Sequence, residues 1–288
     1  MRPCVLVFAG LDPSGGAGLS ADLQAVAGQG AHALTVCTAL TVQDNDRVYG
    51  VQPVDAGMVL RQAQALSRKM AISAVKIGIT GSAANALAIA EVIMRLRERQ
   101  PELPVVLDPV LASGHGDLLS RDDAVQALAP LLSLATIITP NGPEAQALSD
   151  ATQPYAQARA LRERGCRHVL ITGGHSEGDE VLNRWFGPGT HAASATGAPS
   201  ALAASASAGR ATSIAAVPGG ESGLRREWRW ARLAGEFHGS GCTLASAIAG
   251  QLALGVPTAV ALENAQHYTY HALSDAYAIA AGQRIPLR

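Results

Sequence analysis

The feature that most constrains this chain is an alternation along it. Short, wholly apolar runs recur, and between them lie longer segments whose apolar residues have helical spacing. Strands joined by crossover helices make a mainly parallel sheet covered on both faces, and such strands read as continuous apolar runs. The pattern predicts strands at Cys4–Ala9, Ala33–Leu40, Ala74–Ile79, Pro104–Leu107, Ala135–Thr139 and Arg167–Thr172. It predicts helices over 57–70, 82–100, 121–133, 157–165, 241–254 and 258–281, with Ser82 as an N-cap and Pro101 as a stop signal. The expected class is therefore α/β, with helices on both faces of the sheet.

A chain of 288 residues can bury a core of this kind in one domain, so a single unit over 1–288 is expected. The segment 187–223 breaks the pattern. It is rich in Ala, Ser and Gly, has no periodicity and offers few large side chains to bury. It is expected to form a flexible insertion between edge strands at 180–186 and 227–233, with a short alanine-rich helix as the lesser alternative.

Charge narrows the function. A formal net charge of −1 supplies no basic face for a nucleic-acid backbone. No apolar run reaches the roughly 18 residues of a membrane-spanning helix, and the N-terminal run is too short for a signal peptide. A cytoplasmic protein with neither a nucleic-acid nor a membrane partner is expected. Only Lys69 and Lys76 are lysines, and neither follows a glycine loop, which excludes a Walker A phosphate site. The four cysteines are scattered without a CxxC pair, so no disulfide framework or zinc knuckle is expected. His267 and His271 share a helix face but lack the glutamate and third ligand of a zinc motif.

Three segments could carry chemistry. Residues 9–22 (AGLDPSGGAGLSAD) follow a strand and open a helix, where glycines let a ligand approach the backbone. Gly16, Gly18 and Ala21 match a relaxed dinucleotide fingerprint, but the tight turn and the acidic partner of that fold are missing. Residues 237–246 (FHGSGCTLAS) form a second glycine turn at a helix start. There the amides of Ser240, Gly241 and Cys242 could converge on an anion, and the helix field would lower the pKa of the Cys242 thiol. Cys4, Cys37 and Cys166 read as small buried hydrophobes. Finally, Asp108 ends one strand, and Asn141 and Glu144 follow the next, at the sheet edge where ligands bind. Such oxygen donors suit Mg²⁺ with bound waters. His115 and His175 lie in loops expected to line the same edge.

Taken in order, these motifs resemble the hydroxymethylpyrimidine/phosphomethylpyrimidine kinases of thiamine biosynthesis, within the ribokinase-like superfamily. The resemblance is carried by residues 9–18 with Ala21 and Asp22, 38–43 (TALTVQ), 75–78 (VKIG), 107–110 (LDPV), 116–117, 139–144 (TPNGPE), 173–175 (GGH) and 238–243 (HGSGCT). It implies a three-layer α/β fold, ATP with Mg²⁺, and phosphorylation of 4-amino-5-hydroxymethyl-2-methylpyrimidine and then of its monophosphate. It assigns Gly10, Asp22, Gln43 and Ile79 to the pyrimidine and residues Gly239, Ser240, Gly241 and Cys242 to an anion hole. Cys242 becomes the catalytic base, and Asp108, Asn141, Glu144 and Thr172 the nucleotide and Mg²⁺ site, with metal contacts through Asp108 and Glu144. A homodimer is also implied. Three positions depart from the family pattern: Thr172 replaces a lysine, Ile79 replaces a methionine, and 282–286 lacks the usual Gly-His-Gly-Pro. A kinase of pyridoxal or another small ring alcohol is the near alternative, and an NAD(P)-dependent oxidoreductase the distant one.

Overall fold

In the computed structural model the described residues are 1–112, 115–117, 119, 123–188, 212–215 (backbone only) and 223–288. The strands are β1 (Cys4–Leu11), β2 (His32–Gln43), β3 (Val48–Pro53), β4 (Ile72–Ile77), β5 (Val105–Leu107), β6 (Ile137–Ile138), β7 (His168–Ile171), β8 (Glu180–Phe186), β9 (Thr212–Ala215) and β10 (Leu224–Ala231). They form one sheet in the order β3-β2-β1-β4-β5-β6-β7-β8-β10-β9. The run from β2 to β7 is parallel, whereas β3 and the wing β8, β10 and β9 are antiparallel.

The apolar runs are strands because both of their faces are covered. Leu6 and Phe8 of β1 enter one core, and Val5, Val7 and Ala9 enter the other. The first core is closed by α2 (Ala56–Lys69), α3 (Ala83–Arg97), the short α5 (Ala129–Leu132), α6 (Gly142–Ser149) and α7 (Pro154–Glu163). The second is closed by α1 (Gly18–Gly28), α8 (Ser240–Ala253) and α9 (Thr258–Ser274), with Trp185, Trp228 and Trp230 under the wing. Fully buried side chains such as Phe8, Ile77 and Leu107 each contribute about 1.5–3 kcal/mol over exposure. The expected three-layer α/β class is what forms. Among the described residues no helix is long and apolar enough to cross a membrane.

Several local expectations needed correction. β2 runs on to Gln43 and turns back into β3, a strand the apolar pattern did not mark, because its residues are half exposed at the sheet edge. The predicted helix at 121–133 is broken into α4 (Ala124–Ala127) and α5, and Pro130 lies in the first turn of the second piece. The predicted helix to 281 ends at Ser274 because the chain folds back, with Tyr277 and Ile285 exchanging backbone hydrogen bonds of 3.0 and 2.8 Å. Within the 187–223 insertion, β9 adds an outer strand to β10. The rest of that reading, over 189–211 and 216–222, lies outside the described residues. Ser82 caps α3 as expected, its hydroxyl accepting from the Asn85 amide at 3.2 Å.

Candidate active site

The C-terminal ends of the parallel strands open onto a cavity of about 620 Å³. Every residue assigned to a site from sequence lines it except Asp22. Gly10, Gln43, Ile79, residues 239–242, Asp108, Asn141, Glu144 and Thr172 all line it, with Asp108 beside the start of α8, where a Cβ on Gly241 would stand 3.6 Å from Asp108 Oδ1.

Two glycine loops shape one wall of the cavity. In the first, between β1 and α1, Asp12 is buried and its carboxylate accepts from the amides of Ser14 (2.8 Å) and Ala17 (2.7 Å). Gly18 has φ +54°, and a Cβ there would collide with the Gly10 carbonyl. The second loop ends at Gly239, the N-cap of α8, with φ +81°, where a Cβ would collide with the Gly16 carbonyl and the Ala17 backbone. Glycine is required at both turns because a left-handed backbone and a close approach coincide there.

Side chains that sequence reading did not assign tie the loops together. His238 Nε2 lies 2.8 Å from Asp12 Oδ2, although 226 positions separate them. Burial opposes the Asp12 charge, but His238, Ser14 and Ala17 outweigh it and hold the carboxyl below its usual range. Arg288 donates to Gly16 O at 2.5 Å and to Thr243 Oγ1 at 2.7 Å, and Thr243 Oγ1 in turn donates to Gly239 O at 2.8 Å. Only the Asp-Pro-Ser and His-Gly-Ser spacings in the two loops could have hinted at this pairing.

Asp22 stands behind the wall and not in it. It is fully buried on α1, where its Oδ1 accepts from Lys76 Nζ at 2.8 Å and from Ser246 Oγ at 2.6 Å. The expectation that Asp22 reads the pyrimidine is therefore corrected: its carboxylate holds Lys76. Lys76 itself lines the cavity and was given no role from sequence. Burial opposes its charge, yet Asp22, Cys242 and Asp108 outweigh burial and raise its pKa.

Cys242 lies in the first turn of α8, half-buried as a residue and with its sulfur enclosed. The expected depression of its pKa is also corrected. Burial, with the charges of Asp108 and Asp22, pushes the thiol up to about 12 against the pull of Lys76 and the Gly18 amide. The helix-end field is outweighed by the enclosure. Asp108 is lifted by burial to about 6, with its Oδ2 enclosed and unpartnered. Glu144 rises to about 8, from burial first and the Asp108 charge second. Glu144 also completes a capping box: its carboxylate accepts from the Asn141 amide, and Asn141 Oδ1 accepts from the Glu144 amide, both at 2.9 Å.

The far end of the cavity belongs to the antiparallel wing. Thr172 continues β7 and bridges to Asn141. Arg232 closes the 173–179 turn by donating to Gly174 O (2.9 Å), Gly178 O (2.6 Å) and Ser176 O. Asn183 receives the Gly173 amide at 3.0 Å and donates to Gln266 on α9 at 2.8 Å. Trp230 stacks on Tyr270, and His267 packs edge-on against the same indole. His115 lines the mouth, 3.2 Å from Asp46 and 3.9 Å from Glu236.

A family model described as phosphomethylpyrimidine kinase matches residues 12–287. The chain belongs to the phosphomethylpyrimidine kinase family. A hydroxymethylpyrimidine/phosphomethylpyrimidine kinase of Rhizobium meliloti is 33% identical over 290 residues, covering 98% of this chain and 95% of that protein. The crystal structure of phosphomethylpyrimidine kinase from Clostridium difficile superposes with a TM-score of 0.70 at 27% identity, covering 94% of this chain and all of the other. An ADP complex of Bacillus subtilis pyridoxal kinase gives a TM-score of 0.77 at 22% identity over 99% of this chain and 97% of that one, a likeness of fold. The three-layer architecture of this phosphomethylpyrimidine kinase family member is thus the ribokinase-like one. The dinucleotide reading of Gly16, Gly18 and Ala21 falls: six residues separate β1 from α1, and the Ala17 amide is already taken by Asp12.

Proposed function

We propose that this chain is an ATP-dependent kinase that phosphorylates 4-amino-5-hydroxymethyl-2-methylpyrimidine and then the resulting monophosphate. One observation carries the reading: a single cavity joins Gly10, Gln43 and Ile79 to the 239–242 amides, Cys242 and Asp108. Gln43 offers a donor and an acceptor to an aminopyrimidine edge, and Ile79 with Gly10 gives the ring an apolar seat. The amides at the α8 N-terminus receive the transferring phosphoryl group, where the helix dipole favours negative charge. Cys242 faces the hydroxymethyl group as its base. Thr172 and Arg232 border the nucleotide, with Arg232 acting through the backbone turn it closes.

The donor set also fits a divalent cation. Asp108 Oδ2 is a buried carboxylate oxygen without a partner, and Glu144 lies close enough for the Asp108 charge to raise its pKa. Hard oxygen donors of this type suit Mg²⁺ with several waters retained. Asp108 would hold the ion directly and Glu144, engaged by the Asn141 amide, through water. When bound, Mg²⁺ would neutralise the phosphate charge during transfer.

The test is an assay with ATP that separates mono- from diphosphate products, with pyridoxal as a parallel substrate. Successive appearance of the pyrimidine mono- and diphosphate is expected. Turnover of pyridoxal with none of the pyrimidine would replace the substrate assignment by its near alternative.

A further inference from the structure

Lys76 is a buried cation of the cavity wall with no part in the roles above. It lies on β4, between β1 and β5, and its ammonium is fully buried. The Asp22 carboxylate, brought from α1 and fixed by Ser246 of α8, holds that ammonium at 2.8 Å. An ammonium has three N–H donors, and among the described residues Asp22 is the one hydrogen-bond acceptor of Lys76. Lys76 shares the cavity wall with Gly241, Cys242 and Asp108, and a Cβ on Gly78 would come within 2.9 Å of Nζ, so glycine leaves the ammonium its room.

Stability does not account for such a pair. Taking two ions out of water costs several kcal/mol each, and well-packed apolar replacements are often neutral or better. A charge kept at the wall of a reaction cavity, with donors to spare, is instead suited to act on what the cavity binds.

We propose that Lys76 is a catalytic residue whose ammonium hydrogen-bonds the attacking hydroxymethyl oxygen of the substrate, with Asp22 and Ser246 as the residues that position it. This rests on the kinase reading. In the transfer, the alcohol oxygen bonds to the γ-phosphorus, and the bond from that phosphorus to the β–γ bridging oxygen breaks. The electron pair of that bond leaves on ADP, and the hydroxyl proton passes to the thiolate form of Cys242, a minor form at neutral pH but a strong base, since burial holds the thiol at about 12. Negative charge gathers on the attacking oxygen as its proton departs, and a fixed donor in a water-poor site stabilises it without reorganising.

The test removes both charges together, in Lys76→Met with Asp22→Asn, so that no buried ion is stranded. The double variant is expected to unfold at the wild-type denaturant midpoint or above, while kcat falls on the order of 100-fold or more and the KM for the alcohol changes little. A folded double variant with wild-type kcat would show a purely structural pair and overturn the inference. A second measurement needs no variant: a crystal structure of the wild-type enzyme with the alcohol, ADP and aluminium fluoride. Lys76 Nζ is expected within about 3.2 Å of the attacking oxygen, and a separation beyond about 5 Å would equally overturn the role. Wild-type assays with the pyrimidine and with pyridoxal keep the two questions apart. Phosphorylation of either alcohol leaves the test of Lys76 valid on that substrate, whereas phosphorylation of neither removes the kinase reading and the role of Lys76 with it.

Discussion

The parallel body of the sheet and its antiparallel wing handle charge in opposite ways. In the body, Lys76 and Asp22 are both fully shielded from solvent, and Asp108 and Cys242 are packed around them. In the wing, Arg184 and Arg229 meet Glu227 and Glu180 at 2.8–3.5 Å, but with side chains 16–55% exposed. Water and salt screen the second set, so its pairs add little to stability. The first set interacts at low dielectric, where each charge is costly unless matched and strong when aimed at a ligand. The contrast places reactive electrostatics where two helix layers cover the sheet, and solubility where one face meets solvent.

Breaking the body should have the largest effect. Cys242→Ala is expected to lower kcat by about 100-fold or more while leaving the substrate dissociation constant nearly unchanged, as removal of a general base does. Equal turnover in steady-state assays of the variant would take Cys242 out of the mechanism.

The seam between body and wing comes next. His168 of β7 accepts from the Trp185 indole of β8 at 3.3 Å, and burial lowers its pKa to about 4. The unfolded chain takes up this proton below about pH 6.5, and the folded chain only near 4. The neutral imidazole therefore stabilises the fold fully above pH 6.5, and that stability is lost as pH falls towards 4, by on the order of 3 kcal/mol. Glu144 and Asp108, with raised pKa values, slope the other way, since folded protein holds their protons at higher pH. The measurement is thus the difference in denaturant stability between wild type and His168→Gln across pH 4–7. A difference independent of pH would refute the assignment.

The wing itself should respond least. Glu180→Ala removes one partner of the exposed Arg229 and is expected to change stability by less than about 0.5 kcal/mol, with kcat unaltered. A loss above about 2 kcal/mol in equilibrium unfolding would show that the ion pairs of the wing are not screened.

Legibility in the sequence followed the range of the interaction. Gly239 to Cys242 could be read because a glycine turn and the helix it opens are adjacent in the chain, as are the partners Asn141 and Glu144. Asp22 was misread because its carboxylate is decided by Lys76, 54 positions away, and Ser246, 224 positions away. The Cys242 thiol was misread for a related reason. Position at a helix N-terminus is local, whereas enclosure beside Asp108 and Asp22 comes from β5 and α1. The antiparallel strand β3 stayed hidden because half-exposed edge residues leave no apolar run to notice.

By itself the sequence determined the parallel α/β class, the two glycine loops and the kinase family, since these depend on apolar periodicity and on residues close together in the chain. Only the tertiary structure decided which charges are buried together. Desolvation and Coulomb energies depend on distances that chain order does not specify, and those distances set Asp22 on Lys76, Asp12 beside His238 and an unpartnered Asp108 oxygen in the cavity wall.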